Sequence, residues 1–151
     1  GYHDLNSRSL GIELVNSGNE DYPVAQMKSL IKLFKHLIES LVLNPKNVLG
    51  HSDIAPARKL DPGKWFNWQK LSDNGVGLFP EVSVPMVSDK QAFLVQAERA
   101  GFDPNSNFEH VLNTFRNRCR PNFIGEFDGY DCALMHKFVD AFDIDDSSNS
   151  Q

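Results

Sequence analysis

The sequence predicts an α/β fold followed by a small all-helical unit, on three observations. A short apolar stretch, an amphipathic helix pattern and a second short apolar stretch follow one another early in the chain. The second stretch runs into an irregular loop crowded with reactive side chains, an arrangement found where sheet strands deliver functional groups. Residues 89–143 then carry three helical patterns and no strand pattern.

"SLGIELVN", residues 9–16, is apolar and partly β-branched and is closed by "SGN". It reads as a buried strand, with Glu13 as its one charged residue. Val24, Met27, Leu30, Ile31, Phe34, Leu37, Ile38 and Leu41 then recur at three- and four-residue steps. That spacing makes an amphipathic helix with Pro23 near its first turn, and "NPKN" ends it. "VLGHS", residues 48–52, reads as a second strand. Strand, helix and strand in this order imply a right-handed crossover between parallel strands. "WFNWQKL", residues 65–71, reads as a short helix, and the Gly-, Pro- and Val-rich stretch 73–88 as a linker or wrapping segment. Helices are predicted over about 89–101, 106–119 and 129–142. The chain thus divides into a first domain (1–75), a linker (76–88), a three-helix domain (89–143) and a polar tail (144–151).

Composition narrows the function. With 40% hydrophobic residues and 11% aromatics, the chain of 151 residues has the material for a packed core. A net charge of −5 argues against a general nucleic-acid binder, which needs a basic surface. No apolar run is long enough to span a bilayer, so no transmembrane segment is predicted. The chain begins at Gly1 rather than Met, which leaves export open. Cys119 and Cys132 form no C-x-x-C pair; they read as two buried thiols or as one disulfide.

The chemistry concentrates in "VLGHSDIAPARKLDPGKW", residues 48–65. His51 offers an imidazole at a strand end and Asp61 a carboxylate ten residues on, a ligand pair that a wrapping loop can bring together. In an extended segment Lys59 and Asp61 point to the same side, and Pro56 and Pro62 stiffen the frame. Asp53 is an alternative ligand. Without a metal, the same residues make a polar loop in which the aspartates cap turns. Glu13 calls for a partner, a catalytic role or exposure on an edge strand, because a buried unpaired carboxylate is costly.

"SLGIELVN" followed by "VLGHSDIAPARKLDPG" resembles the zinc-dependent N-acetylmuramoyl-L-alanine amidases of type 2, a family that includes peptidoglycan recognition proteins. The AmiD-like arrangement, with a C-terminal helical domain similar to peptidoglycan-binding modules, is the closer match. The resemblance implies a mixed sheet flanked by helices, of which residues 1–75 are the C-terminal part. It implies His51 and Asp61 as zinc ligands, Lys59 as the oxyanion stabiliser and Glu13 as the group that positions or deprotonates the attacking water. Trp65 and Trp68 are weak candidates for substrate contact. Exposed members of the set Phe93, Phe102, Phe108, Phe115, Phe123, Phe127 and Phe138 are candidates for sugar stacking.

The family's further zinc histidine falls upstream of Gly1. His3 does not match it, and His36, His110 and His136 read as surface or packing residues. The chain therefore reads as a piece of a longer protein, with the missing N-terminal segment among its partners. The implied activity is zinc-assisted cleavage between muramic acid and L-alanine in peptidoglycan or muropeptides, in the bacterial envelope or periplasm or alternatively the cytoplasm. A non-catalytic peptidoglycan-recognition protein and a metallohydrolase of another amide or ester are the alternatives.

Overall fold

A computed structural model describes residues 8–56 and 58–146. The predicted mixed sheet is not there: among the described residues the regular structure is helical and no strand forms. Residues 10–16 are irregular but keep a two-residue alternation of burial. Ile12 and Leu14 pack against a hydrophobic cluster, while Glu13 and Val15 face solvent. Residues 48–50 are likewise irregular. Neither segment has a ladder partner among the described residues, and a strand exists only when its backbone groups pair with a neighbour. The predicted parallel crossover is overturned with the sheet. His3 and most of the polar tail lie outside the described residues.

Helix α1, Val24–Leu41, follows the sequence pattern closely. Met27, Leu30 and Ile31 are buried on one face, with Phe34 and Ile38 partly packed beside them. It ends at Val42, whose backbone is left-handed (φ 52°) and whose N–H donates to the Ile38 carbonyl. A 3-10 turn, Pro45–Asn47, is capped by the Asn44 side chain accepting from the Lys46 N–H. Two short helices follow: α2, His51–Ile54, and α3, Trp68–Ser72. Val48, Phe66, Trp68, Leu71 and Val76 complete a first core with the buried face of α1. Tyr22, Phe66 and Trp68 meet in this core edge to face, with ring centres 5.2 and 4.8 Å apart.

Three longer helices form the second core: α4, Lys90–Arg99; α5, Phe108–Cys119; and α6, Gly129–Asp146. Asp89 and Asn107 accept from N–H groups in the first turns of α4 and α5, as good N-caps do. Phe93 sits at the centre, with ring centres of Phe108, Phe115 and Phe127 at 6.0, 5.7 and 5.3 Å. None of the seven phenylalanines named above is exposed: six pack this core, and the Phe123 ring lies against the guanidinium groups of Arg116 and Arg120, so none presents an open ring to a sugar. Cys119 and Cys132 are buried free thiols, as the first of the two readings has it. The segment 76–88 wraps: Leu78 and Val82 pack on the second core, Phe79 on the first, and Met86 donates its N–H to the Gly129 carbonyl at 3.0 Å. Gly129 is required there, since a Cβ would lie 2.0 Å from the Met86 oxygen.

Three arginines on or just after α5 are committed to internal acids. Arg116 grips the fully buried Asp131 with Nε at 3.0 Å and Nη2 at 2.6 Å, and also donates to the carbonyls of Gly125 and Glu126. Arg120 bridges Asp128 and Asp131, and Arg118 reaches Asp53.

Candidate metal and catalytic site

The loop 50–63 is a chain of tight turns. The Asp53 carboxylate accepts from the Gly50 N–H at 2.8 Å, and the Asp53 N–H donates to the Gly50 carbonyl at 3.0 Å. Together they start the one-turn helix that carries His51. Ala55 donates to the His51 carbonyl, and Arg58 and Lys59 donate to the Ala55 carbonyl. The Ser52 N–H then donates to the Asp61 carbonyl at 3.0 Å, which folds residue 61 back over the start of α2. Gly50 is needed for that return: a Cβ there would meet Pro62 Cδ at 2.6 Å and the Trp68 ring at 3.2 Å.

This path brings His51 and Asp61 together. Nδ1 of His51 lies 2.5 Å from Oδ2 of Asp61, and both side chains are more than half exposed, at 56% and 58%. The pair supplies one imidazole nitrogen and one carboxylate oxygen, a donor set that suits a zinc ion. Among the described residues no third His, Cys, Asp or Glu joins them.

The other sequence-predicted residues fall as follows. Glu13 is exposed on the outward side of the segment 10–16, so it needs no buried partner. Lys59 is exposed where the turns end, with its N–H tied back to the Ala55 carbonyl. Trp65 is 37% exposed, with the Lys64 ammonium 4.9 Å from its ring centre. Trp68 is 4% exposed and belongs to the first core.

Three residues that sequence reasoning did not assign hold this loop. The Tyr22 hydroxyl donates to the Pro62 carbonyl at 3.2 Å. Burial, and after it the nearby Asp61 charge, push its pKa up, so it stays a donor at neutral pH. His110 on α5 places Nε2 2.9 Å from the Pro56 carbonyl. Arg118, also on α5, donates from Nε to Asp53 Oδ2 at 3.2 Å. His110, predicted as a surface or packing residue, is half-buried and packs with this hydrogen bond. No local signal marks these contacts, which join residues 40, 54 and 65 positions apart. A cleft of about 610 Å³, lined in part by Phe79, Glu81, Arg120, Tyr130 and Lys137, lies elsewhere. Its cations are already bonded, Arg120 to Asp128 and Asp131 and Lys137 to the Glu81 carbonyl.

The family model of N-acetylmuramoyl-L-alanine amidases matches residues 1–64. N-acetylmuramoyl-L-alanine amidase AmiD of Escherichia coli strain K12 is 30% identical over 168 residues, covering 93% of this chain and 60% of AmiD. 1,6-anhydro-N-acetylmuramyl-L-alanine amidase AmpD of Enterobacter cloacae is 40% identical over 71 residues, covering 47% of this chain and 38% of AmpD. Among solved structures, the complex of E. coli AmiD with the substrate anhydro-N-acetylmuramic acid-L-Ala-D-gamma-Glu-L-Lys superposes with a TM-score of 0.68 at 31% identity. That match covers 81% of this chain and 54% of AmiD. The AmpDh3 structure from Pseudomonas aeruginosa gives a TM-score of 0.54 at 26% identity, over 82% of this chain and 55% of that one. This chain thus spans roughly two fifths to three fifths of the length of these relatives. Among the described residues no helix is long and apolar enough to cross a membrane.

Proposed function

We propose, starting from the N-acetylmuramoyl-L-alanine amidase family of type 2 to which this chain belongs, that the protein hydrolyses the amide between the lactyl group of N-acetylmuramic acid and L-alanine. The observation that carries the reading is the His51–Asp61 pair, two metal-competent donors 2.5 Å apart on an exposed loop. His51 and Asp61 would hold the zinc ion, with a third ligand from outside the described residues. Zinc, when bound, supplies a Lewis acid and makes a nucleophile available at neutral pH. Glu13 takes the proton of the attacking water as the amide carbonyl carbon is attacked, and returns it to the departing amine of L-alanine. The Lys59 ammonium stabilises the negative charge that develops on the carbonyl oxygen. Residues 89–143 form a helical domain that holds the enzyme on polymeric peptidoglycan, joined through the segment 76–88 to the catalytic domain. The bacterial cell envelope is the compartment where such a substrate is met.

The test uses the whole protein that carries this chain, loaded with zinc. Glu13→Ala is expected to lower stem-peptide release by about 10²–10⁴-fold. Lys59→Ala is expected to lower it by about 10²–10³-fold. Both variants keep the wild-type circular dichroism and melting transition. Wild-type release by both would refute these roles. Binding of peptidoglycan with no cleavage by the wild type would favour a recognition protein instead.

A further inference from the structure

Helix α5 touches the ligand loop at two points. Arg118 and His110 are eight residues apart, which on an α-helix is about 12 Å of rise along one broad face. At one point the Arg118 Nε donates to Asp53, and the two side chains are 3% and 7% exposed. At the other, His110 Nε2 meets the Pro56 carbonyl at 2.9 Å. Asp53 in turn accepts from the Gly50 N–H and starts the turn whose first residue is His51. Arg118, Asp53, Gly50 and His51 therefore form one continuous chain of contacts.

The surroundings of Arg118 argue that the contact is specific. Its guanidinium lies 3.6 Å from the Trp68 ring centre and 5.7 Å from that of Phe138. Trp68 belongs to the first core and Phe138 to the second, so Arg118 is wedged between them. Its Nη1 and Nη2 are buried without a hydrogen-bond partner among the described residues. A buried cation with two unsatisfied nitrogens is a poor device for stability alone, and an apolar residue of similar volume does as well or better. What the charge supplies here is a directed hold on Asp53.

We infer that α5 is a positioning element for the site, with Arg118 acting through Asp53 and His110 acting through the Pro56 carbonyl to fix the turn that presents His51 to Asp61. On this account the helical part helps to build the metal site as well as binding substrate. The inference rests on the metal reading above, and its test separates the two.

The test uses the whole protein with Arg118→Met, Arg118→Lys, Asp53→Asn and the Arg118→Met/Asp53→Asn double variant. Zinc affinity is read by competition with a chromophoric chelator, and geometry by the visible spectrum of the cobalt-substituted protein. Groups bonded directly to a metal ligand are worth about 10–100-fold in metal affinity, and a hold passed on through Asp53 is expected at about the low end of that range, near tenfold. Arg118→Met is expected to lose that much and to change the cobalt spectrum. Arg118→Lys, which keeps a donor for Asp53, should recover most of both. In the Asp53→Asn background Arg118→Met should cost nothing further. Unchanged affinity and spectrum in Arg118→Met, or losses that multiply in the double variant, would overturn the inference. Amide hydrogen exchange on metal-free protein gives a second reading. Arg118→Met and His110→Leu should speed exchange at Gly50, Ser52 and Lys59, and His110→Gln, which keeps a donor, should not. Wild-type exchange at those amides in both disruptive variants overturns the clamp. No zinc binding by the wild type, with the exchange changes still present in the variants, would instead overturn the metal reading alone.

Discussion

Replacing Arg116 by Met removes the larger partner of the most buried ion pair in the helical core. Asp131 has no exposed side-chain surface and Arg116 only 10%. Arg116 makes two bonds to the Asp131 carboxylate and two to the carbonyls of Gly125 and Glu126. Breaking a buried pair from one side costs about 3–5 kcal/mol, because the other charge is left uncompensated. Asp131 would still accept from Arg120 at 3.1 Å and from the Asp128 N–H at 3.1 Å, which places the loss at the low end. At about 2–4 °C per kcal/mol for a chain of this size, a loss of about 3 kcal/mol lowers the melting temperature by about 6–12 °C. Urea unfolding followed by circular dichroism measures the same loss directly. Removing both charges with Arg116→Met/Asp131→Leu should cost less than Arg116→Met alone, since no carboxylate is then stranded. A loss below about 1 kcal/mol for Arg116→Met, or a double variant worse than the single one, would refute the reasoning.

Other consequences are equally direct. Gly50→Ala should open the ligand loop, because its Cβ would strike the Pro62 ring at 2.6 Å; a crystal structure of the variant with His51 and Asp61 still paired would contradict this. Burial pushes the Asp128 carboxyl up, but the Arg120 hydrogen bond, the Asp131 N–H, the Arg120 charge and the Tyr130 N–H outweigh it and hold the pKa below the ordinary carboxylate range. Asp128 therefore adds stability above its unfolded value, near about pH 4, and that stability is lost as pH falls through the folded value. Asp128→Asn should flatten the acid limb of stability against pH, and an unchanged limb counts against the assignment. Burial also pushes the Cys119 thiol strongly up, and the Cys132 thiol as well. Neither should react with a thiol reagent at neutral pH until the chain unfolds, and prompt labelling of the native protein would contradict their placement.

The helices were legible in the sequence because their signal is local. The spacing of Met27, Leu30, Ile31, Phe34 and Ile38 fixes α1, and Asp89 and Asn107 mark the starts of α4 and α5. The sheet was not legible, because β-branched content and alternation report only that a segment is extended. Ile12 and Leu14 do bury one side of their segment, yet a strand also needs a neighbour, and among the described residues none pairs with it. Within the ligand loop the His51–Asp61 approach follows from closely spaced turns and was open to sequence reasoning. The expectation that the aspartates cap turns holds for Asp53, which accepts from the Gly50 N–H. Its second bond, to Arg118, was hidden, because it depends on how two cores pack. The same holds for His110, whose partner is a main-chain carbonyl with no side-chain identity to read.

The central claim is tested most directly by mass analysis of the products that the zinc-loaded whole protein forms from an anhydro-N-acetylmuramyl tripeptide. Zinc-dependent release of a peptide with a free L-alanine amino terminus and an intact muramyl lactate, abolished in Asp61→Ala, is the predicted result. Cleavage at any other bond, or undiminished release by Asp61→Ala, would contradict it.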